Sequence, residues 1–289
     1  MFRSLLASSL LASSMANAAI QQYSASLDDS IWVMSHASPI ECRIDHIVPS
    51  FGVASFVTKA SKDINLDFHL NGYRQNPNTH NVSLRSVPPS WKPGRSVSRI
   101  ADLAFYKQFD GYVNEQHAWQ MINELERGNE PTFYFRDWYG NGINTSVSLS
   151  TINFSPVHNE FLQCVSRLLP YSFSDIAFTV LTYRSNSNEL TRRSQHRLNA
   201  ILEYVKHDPD IQLVLLDAYT DAYGSRYKNQ TLSESRASVV KDYFVQAGLD
   251  EDAIEVTGHG ERRHVAPNST ALQRQTNRRV VISLGKELL

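Results

Sequence analysis

Between Ile20 and about Ser155 apolar and polar residues alternate, and from Ile176 onward that alternation gives way to strands and helices in turn. The change of period divides the chain into two kinds of fold. Period two is plain in Ile64-Asn65-Leu66-Asp67-Phe68-His69-Leu70-Asn71 and in Val82-Ser83-Leu84-Arg85-Ser86-Val87, and it predicts strands with one buried face. Turn signals punctuate them: Asn71-Gly72, Pro88-Pro89, Pro93-Gly94, and Tyr139-Gly140-Asn141-Gly142 between Phe133-Tyr134-Phe135 and Val147-Ser148-Leu149. The pattern predicts an antiparallel β sandwich or barrel-like domain with one helix. That helix carries Ala118, Met121, Ile122 and Leu125 at helical spacing, after Asn114 as N-cap and before Gly128 as stop, and its apolar face should cover the sheet.

Past a linker near Leu169 to Ser174, helix one places Leu198, Ile201, Leu202 and Val205 on one face and ends before Asp208-Pro209. Arg192, Arg193 and Arg197 lie around it as a solvated face. The run Ile211 to Leu216 is apolar enough for a strand buried on both faces. Helix two is expected to start at Ser233 as N-cap, to turn Ala237, Val240 and Phe244 inward and to stop at Gly248. Ile254 to Thr257, a helix-like turn and Arg279 to Leu284 complete a β-α-β-α-β-β order, which packs helices on one face of a mixed sheet. The whole chain is therefore α+β in class.

Residues 1–19 have the layout of a secretory signal: Arg3, the apolar run Leu5 to Leu11, then small residues with an A-x-A cleavage site near Ala18. The apolar run falls short of the roughly 20 residues that span a bilayer, and no cysteine follows it for lipid attachment, so direct membrane insertion is not expected. The two cysteines, Cys42 and Cys164, are an even count in an exported chain and are expected to pair. A formal net charge of −1 with no sustained basic stretch argues against nucleic acid as a partner.

Asp221 stands just past the end of a buried strand, in Asp217-Ala218-Tyr219-Thr220-Asp221-Ala222-Tyr223-Gly224-Ser225, and Arg236 follows in what is expected to be the first turn of helix two. A carboxylate and a guanidinium placed there can face one zwitterion, the first taking an ammonium and the second forking onto a carboxylate. That is one end of an amino acid. The surrounding residues resemble the OmpA-like peptidoglycan-binding family, whose pattern reads G-H-T-D-x-x-G-s-x-x-Y-N-x-x-L-S-x-x-R-A, then G-x-G-E, then R-x-x-N-R-R-V. This chain supplies Thr220, Asp221, Gly224, Ser225, Asn229, Leu232, Ser233, Arg236 and Ala237, then Gly258-His259-Gly260-Glu261, then Arg274, Asn277, Arg278, Arg279 and Val280.

The resemblance implies that Asp221 and Arg236 hold the ammonium and carboxylate of diaminopimelate, a component of the wall peptide. It implies that Asn229, Leu232 and the backbone amides from Thr220 to Ala222 support them, and that Arg278 or Arg279 braces the pair. A helix N-terminus beside the ligand carboxylate would add a favourable dipole. Ala218 and Tyr219 stand where the family has Gly-His, Lys228 where it has Tyr and Gln273 where it has Gly.

An exported β-rich domain with cysteines near both ends, ahead of an OmpA-like domain, resembles the MotY family of sodium-driven flagellar motor proteins. The segments Pro89-Ser90-Trp91-Lys92-Pro93-Gly94 and Asp137-Trp138-Tyr139-Gly140-Asn141-Gly142-Ile143-Asn144 share the likeness. The resemblance implies a 1–19 signal peptide, a 20–170 motor-interaction domain and a 171–289 peptidoglycan-binding domain. It further implies a periplasmic ring around the polar flagellar basal body, a partner called MotX and support for assembly of the PomA/PomB stator. Two other readings stand beside it: a general envelope-tethering protein outside the motor, and a cell-wall hydrolase.

The residues themselves give an enzyme little support, since Asp102, Asp110, Glu115, Glu124 and Glu126 form neither a poised carboxylate pair nor a nucleophile with its base. Among ten histidines none shows a metal-binding spacing, and His46, His69, His80 and His158 read as surface or strand residues. No cofactor or metal is expected. The aromatic stretch Phe133 to Tyr139 reads as strand core, with Trp138 its most exposed member.

Overall fold

The computed structural model describes residues 20–74, 78–92, 96–136, 143–184, 187 and 189–286. The expected signal segment, the Pro93-Gly94 and Tyr139 to Gly142 turns and Trp138 lie outside them. The chain forms two compact units, one of 1–33, 45–56 and 67–156, the other of 34–44, 57–66 and 157–289.

Strands β1 (Ile20–Tyr23), β2 (Ile31–Ala37), β3 (Glu41–Val48), β4 (Gly52–Lys59), β5 (Asp67–Gly72), β6 (His80–Val87), β7 (Ser98–Phe105) and β8 (Gly111–Val113) precede helix α1 (Glu115–Glu126). Then come β9 (Glu130–Arg136), β10 (Asn144–Ser148) and helix α2 (Phe154–Val165). Ten strands make two five-stranded sheets, ordered β1-β10-β9-β6-β7 and β2-β3-β4-β5-β8. Both are open, so of the two expected shapes the closed barrel is ruled out. Nor is the pairing wholly antiparallel, because β1 runs parallel to β10.

Period two is obeyed to the residue in β3, where Cys42, Ile44, His46 and Val48 are buried and their neighbours are half-buried. The stacked rings of Phe68 on β5 and Phe133 on β9, 5.6 Å apart, join the inner faces of the two sheets. Helix α1 begins where expected, with the Asn114 side chain accepting from the His117 amide, and Gly128 follows it at φ 74°. Met121, Ile122 and Leu125 are its buried face, laid against β5, β7 and β9.

A second helix, not anticipated from the sequence, follows β10. In α2 the buried residues Phe154, His158 and Phe161 recur at helical spacing, and Pro156 sits in its first turn, where a missing N–H costs nothing. His46, wholly buried on β3, is a strand residue as expected, whereas His158 is a buried helical residue, neither surface nor strand.

The second sheet-and-helix layer comprises α3 (Phe173–Ile176), β11 (Phe178–Thr182), α4 (Arg192–Val205), β12 (Ile211–Tyr219), α5 (Arg226–Gln246), β13 (Ile254–Gly258), α6 (Ala271–Asn277) and β14 (Arg279–Lys286). Its sheet is ordered β11-β14-β12-β13, with β12 parallel to β13 and antiparallel to β14. Leu198, Ile201, Val214, Leu216, Val240, Phe244 and Ile282 form its core, which Ala60 also joins. Strand β12 is buried on one face only: Val214 and Leu216 are enclosed, whereas Leu213 is 38% exposed. Helices α4 and α5 cover a single side, so the apolar run reports half of what it suggested.

Helix α5 starts about two turns before Ser233. Ser225 is the N-cap, accepting from the Lys228 amide, because nothing from Arg226 to Leu232 breaks a helix. Ser233 is an interior residue whose hydroxyl donates back to the Gln230 carbonyl at 2.7 Å. Among the described residues no helix is long and apolar enough to cross a membrane.

Candidate functional site

Strand β12 ends at Tyr219, and the chain turning away from the sheet carries Thr220 and Asp221. Three contacts hold that turn. The Thr220 amide donates to the Gly260 carbonyl at 2.8 Å, the Ala222 amide to Oδ1 of Asn268 at 3.2 Å, and the Tyr223 amide to Oδ1 of Asp221 at 2.9 Å. The amides of Thr220 and Ala222, expected to support a ligand, are spent inside the fold.

The Gly258-His259-Gly260-Glu261 motif lets this loop approach α5. A Cβ on Gly258 would meet the Ser233 hydroxyl and the Glu234 amide at 2.8 Å, and Gly260 sits at φ 58°. Glu261 then accepts from Nδ2 of Asn229 at 2.8 Å, which fixes the buried Asn229 as a strut between helix and loop.

Arg236 falls in the third turn of α5, not the first, so the helix dipole expected beside it is absent; the helix terminus lies nearer Gly224. Its guanidinium lies over the Tyr183 ring, 4.4 Å from the centroid, and Nη2 donates to the Ser187 carbonyl at 2.9 Å. Burial holds its pKa below the ordinary arginine value, Tyr183 and Asp221 favouring the charge and Arg278 opposing it. It stays protonated regardless. Burial also pushes the Tyr183 phenol up to about 12, keeping it neutral under the cation.

Arg278 is the direct partner of Asp221: Nη1 donates to Oδ2 at 2.7 Å. Arg279 points elsewhere, its guanidinium 3.8 Å from the centroid of the Tyr219 ring and its Nη2 on the Arg263 carbonyl. The other face of Tyr219 stacks on His259 at 4.6 Å, and His259 in turn pairs with Asp217 at 2.6 Å. Tyr219 in place of the family's histidine is therefore a packed residue between an imidazole and a guanidinium.

The structure brings Asp221, Arg278 and Arg236 together, with Thr220 beside them. Asn229 and the half-buried Leu232 form part of the frame, and Arg279 belongs to a neighbouring stack. Nε and Nη1 of Arg236, Nε of Arg278 and the Thr220 hydroxyl are buried without a hydrogen-bond partner among the described residues. Two guanidinium groups against one carboxylate, with donors unspent, give the cluster the chemistry of an acceptor for anionic oxygen.

Sequence reasoning missed Tyr183, Ser187 and Asn268. Asn268 is held by Asn277, which is wholly buried and accepts from the Val265 and Ala266 amides while donating to the Ala266 carbonyl and to Oδ1 of Asn268. Asn277 stood in the motif, but its role as organiser of the loop beneath Ala222 has no signal in one sequence. Among the described residues no three His, Cys, Asp or Glu side chains gather as a metal site would need. Cys42 and Cys164 are joined in a disulfide, with Cα atoms 6.0 Å apart.

Residues 23–170 match the profile of the MotY N-terminal domain, and residues 182–278 match that of the OmpA family. A sodium-type flagellar protein MotY from Vibrio parahaemolyticus is 47% identical over 266 residues, covering 92% of this chain and 91% of the relative. The outer-membrane lipoprotein YfiB of Pseudomonas aeruginosa is 45% identical over 78 residues, 27% of this chain and 46% of its own length. The peptidoglycan-associated lipoprotein of Burkholderia pseudomallei, known from its crystal structure, overlaps 37% of this chain and 89% of its own with 22% identity and a TM-score of 0.34. With its N-terminal half matched to that domain and its near-complete length shared with a sodium-type flagellar protein, this chain belongs to the MotY family of flagellar motor proteins, a structural and binding family rather than an enzyme family.

Proposed function

We propose that this protein is a periplasmic component of the polar flagellar motor that grips peptidoglycan through its OmpA-like domain and recognises the motor through its β-rich part. In this reading the carboxylate of a diaminopimelate side chain completes Nε and Nη1 of Arg236, and its ammonium shares Asp221 with Arg278. The supporting observation is the pair of buried, unpartnered Arg236 donors beside an Asp221 already held by Arg278. Residues 171–289 would be the wall-binding domain, and residues 20–170 the motor-interaction domain that contacts MotX and the basal body. Subunits joined in a ring would bind the wall with raised effective concentration even if each site is weak, and so support the PomA/PomB stator. Sedimentation of the purified protein with sacculi tests the wall-binding half: Arg236→Ala should remain largely in the supernatant, and undiminished co-sedimentation refutes it.

A further inference from the structure

A second concave site lies in the β-rich part, built where α1 meets β9. Glu124, near the end of α1, is buried and accepts from the Ser86 hydroxyl and Nδ2 of Asn129, each at 2.6 Å, and from Nη1 of Arg127 at 2.9 Å. Burial works against its charge, but these bonds outweigh it and hold the carboxyl below the usual range. Asn129 is thereby clamped, and the chain enters β9 at Glu130. On the other side Lys92 donates from its backbone amide to the Pro89 carbonyl at 2.9 Å and from Nζ to the Arg127 carbonyl at 2.7 Å. The Pro88 to Trp91 loop is pinned against the helix end, leaving the Trp91 ring 50% exposed.

Pro89, Trp91, Glu130, Tyr134, Ser146 and Gln22 line the resulting cleft. Glu130 and Tyr134 share one face of β9, roughly 13 Å apart at about 3.3 Å per residue, and Ser146 and Gln22 extend the floor across β10 and β1. Glu130 differs from Glu124 in one respect that matters. Its carboxyl is half-buried, burial alone pushes its pKa up, and none of the described residues donates to it or pairs with it.

We propose that this cleft docks an extended segment of a partner polypeptide by seating a lysine or arginine side chain between Glu130 and Trp91. A desolvated carboxylate without a counter-ion is costly, and a cation is the group that removes the cost. The exposed indole beside it offers the face on which such a cation gains a further attraction. The length of the floor suits about four residues of extended chain, with Ser146 and Gln22 placed to meet its backbone polar groups. A neutral sugar would stack on Trp91 but leave the Glu130 charge uncompensated.

The test uses the isotope-labelled full chain at low salt, following the Trp91 indole N–H resonance. The probes are end-blocked Gly-Lys-Gly and Gly-Arg-Gly, with Gly-norleucine-Gly and the tetramer of N-acetylglucosamine as comparisons. The two cationic peptides should shift the resonance saturably, and Glu130→Gln should weaken their binding at least tenfold at an unchanged melting temperature. Glu130→Asp, which keeps the charge, should retain most of the binding and serves as the second variant should Glu130→Gln fold poorly. A shift by the sugar but not the peptides, equal binding by Glu130→Gln, or no shift with any probe would each overturn the proposal.

Discussion

Nη1 of Arg278 and Oδ2 of Asp221 meet at 2.7 Å with side chains only 9% and 11% exposed, so the carboxylate offered to a ligand is already half of a buried ion pair. The motif implies that Arg278 or Arg279 braces Asp221 and Arg236, and the fold gives that contact to Arg278, so Asp221 has a structural role of its own.

Breaking that pair from either side should be costly. Removing one partner of a buried pair leaves an uncompensated charge, typically about 3 to 5 kcal/mol. Asp221→Ala, which strands Arg278, and Arg278→Ala, which strands Asp221, should each lower the urea midpoint substantially, and the double variant should lose less than the sum of the two. Additive losses would mean that the two side chains act independently.

Arg236→Ala should separate binding from stability more cleanly, because Arg236 has no carboxylate partner of its own and loses only the Tyr183 face and the Ser187 carbonyl within the fold. A lost charge-assisted contact of roughly 1.5 to 3 kcal/mol predicts sacculus binding weaker by about 10- to 150-fold. Measured sedimentation isotherms equal to those of the unchanged protein would remove Arg236 from the site.

Much of this was legible because local chemistry and tertiary structure agree. Asn114 and Gly128 bound α1 as the capping rules require, and the even cysteine count foretold the bridge. What stayed hidden depends on contacts distant in sequence. Adjacent Arg278 and Arg279 are equivalent on paper, yet successive side chains leave an extended backbone in opposite directions, so one meets Asp221 and the other Tyr219. Ser225 and Ser233 are both acceptable caps, and only the absence of a breaker between them decides for the first. In α2, a histidine on the apolar face masked the helical period.

Residues 20–170, secreted behind the expected signal segment but lacking the rest, are expected to reach the basal body and to restore motility poorly. In the proposed reading a small wall ligand carries no information about the motor, so the β-rich part is the one expected to supply recognition. Ile40, Ala60 and Leu169 pack with a core that this fragment lacks, so its stability should be reduced as well. Imaging a fluorescent fusion checks the outcome, and polar localisation by residues 171–289 alone would reverse the roles.

The Cys42 to Cys164 bridge closes a separation of 122 residues. Loss of a native bridge typically costs about 2 to 5 kcal/mol, so Cys42→Ser should lower both the melting temperature and the amount of protein recovered from the periplasm. Reductant should destabilise the unchanged protein by a similar margin and leave Cys42→Ser unaffected.

Acid should weaken the β-rich part through His46. Its ring is wholly buried, stacked on Trp32 at 4.5 Å, with Nδ1 donating to the Ile31 carbonyl at 2.9 Å and Nε2 accepting from the Ser150 amide at 3.2 Å. Only the neutral imidazole can do both, since a protonated Nε2 would confront the Ser150 N–H. Burial lowers the pKa from 6.5 to about 4, the Ile31 bond opposing only in part. A base with a depressed native pKa binds its proton more readily in the unfolded chain. Stability is therefore full above pH 6.5, declines as pH falls towards about 4, and loses nothing further from this group below that. The span corresponds to a loss on the order of 3 kcal/mol. Urea titrations at intervals from pH 7 to 4 should show this slope, and His46→Gln, whatever its own stability, should flatten it. A slope that persists unchanged in the variant would place the acid sensitivity in another group.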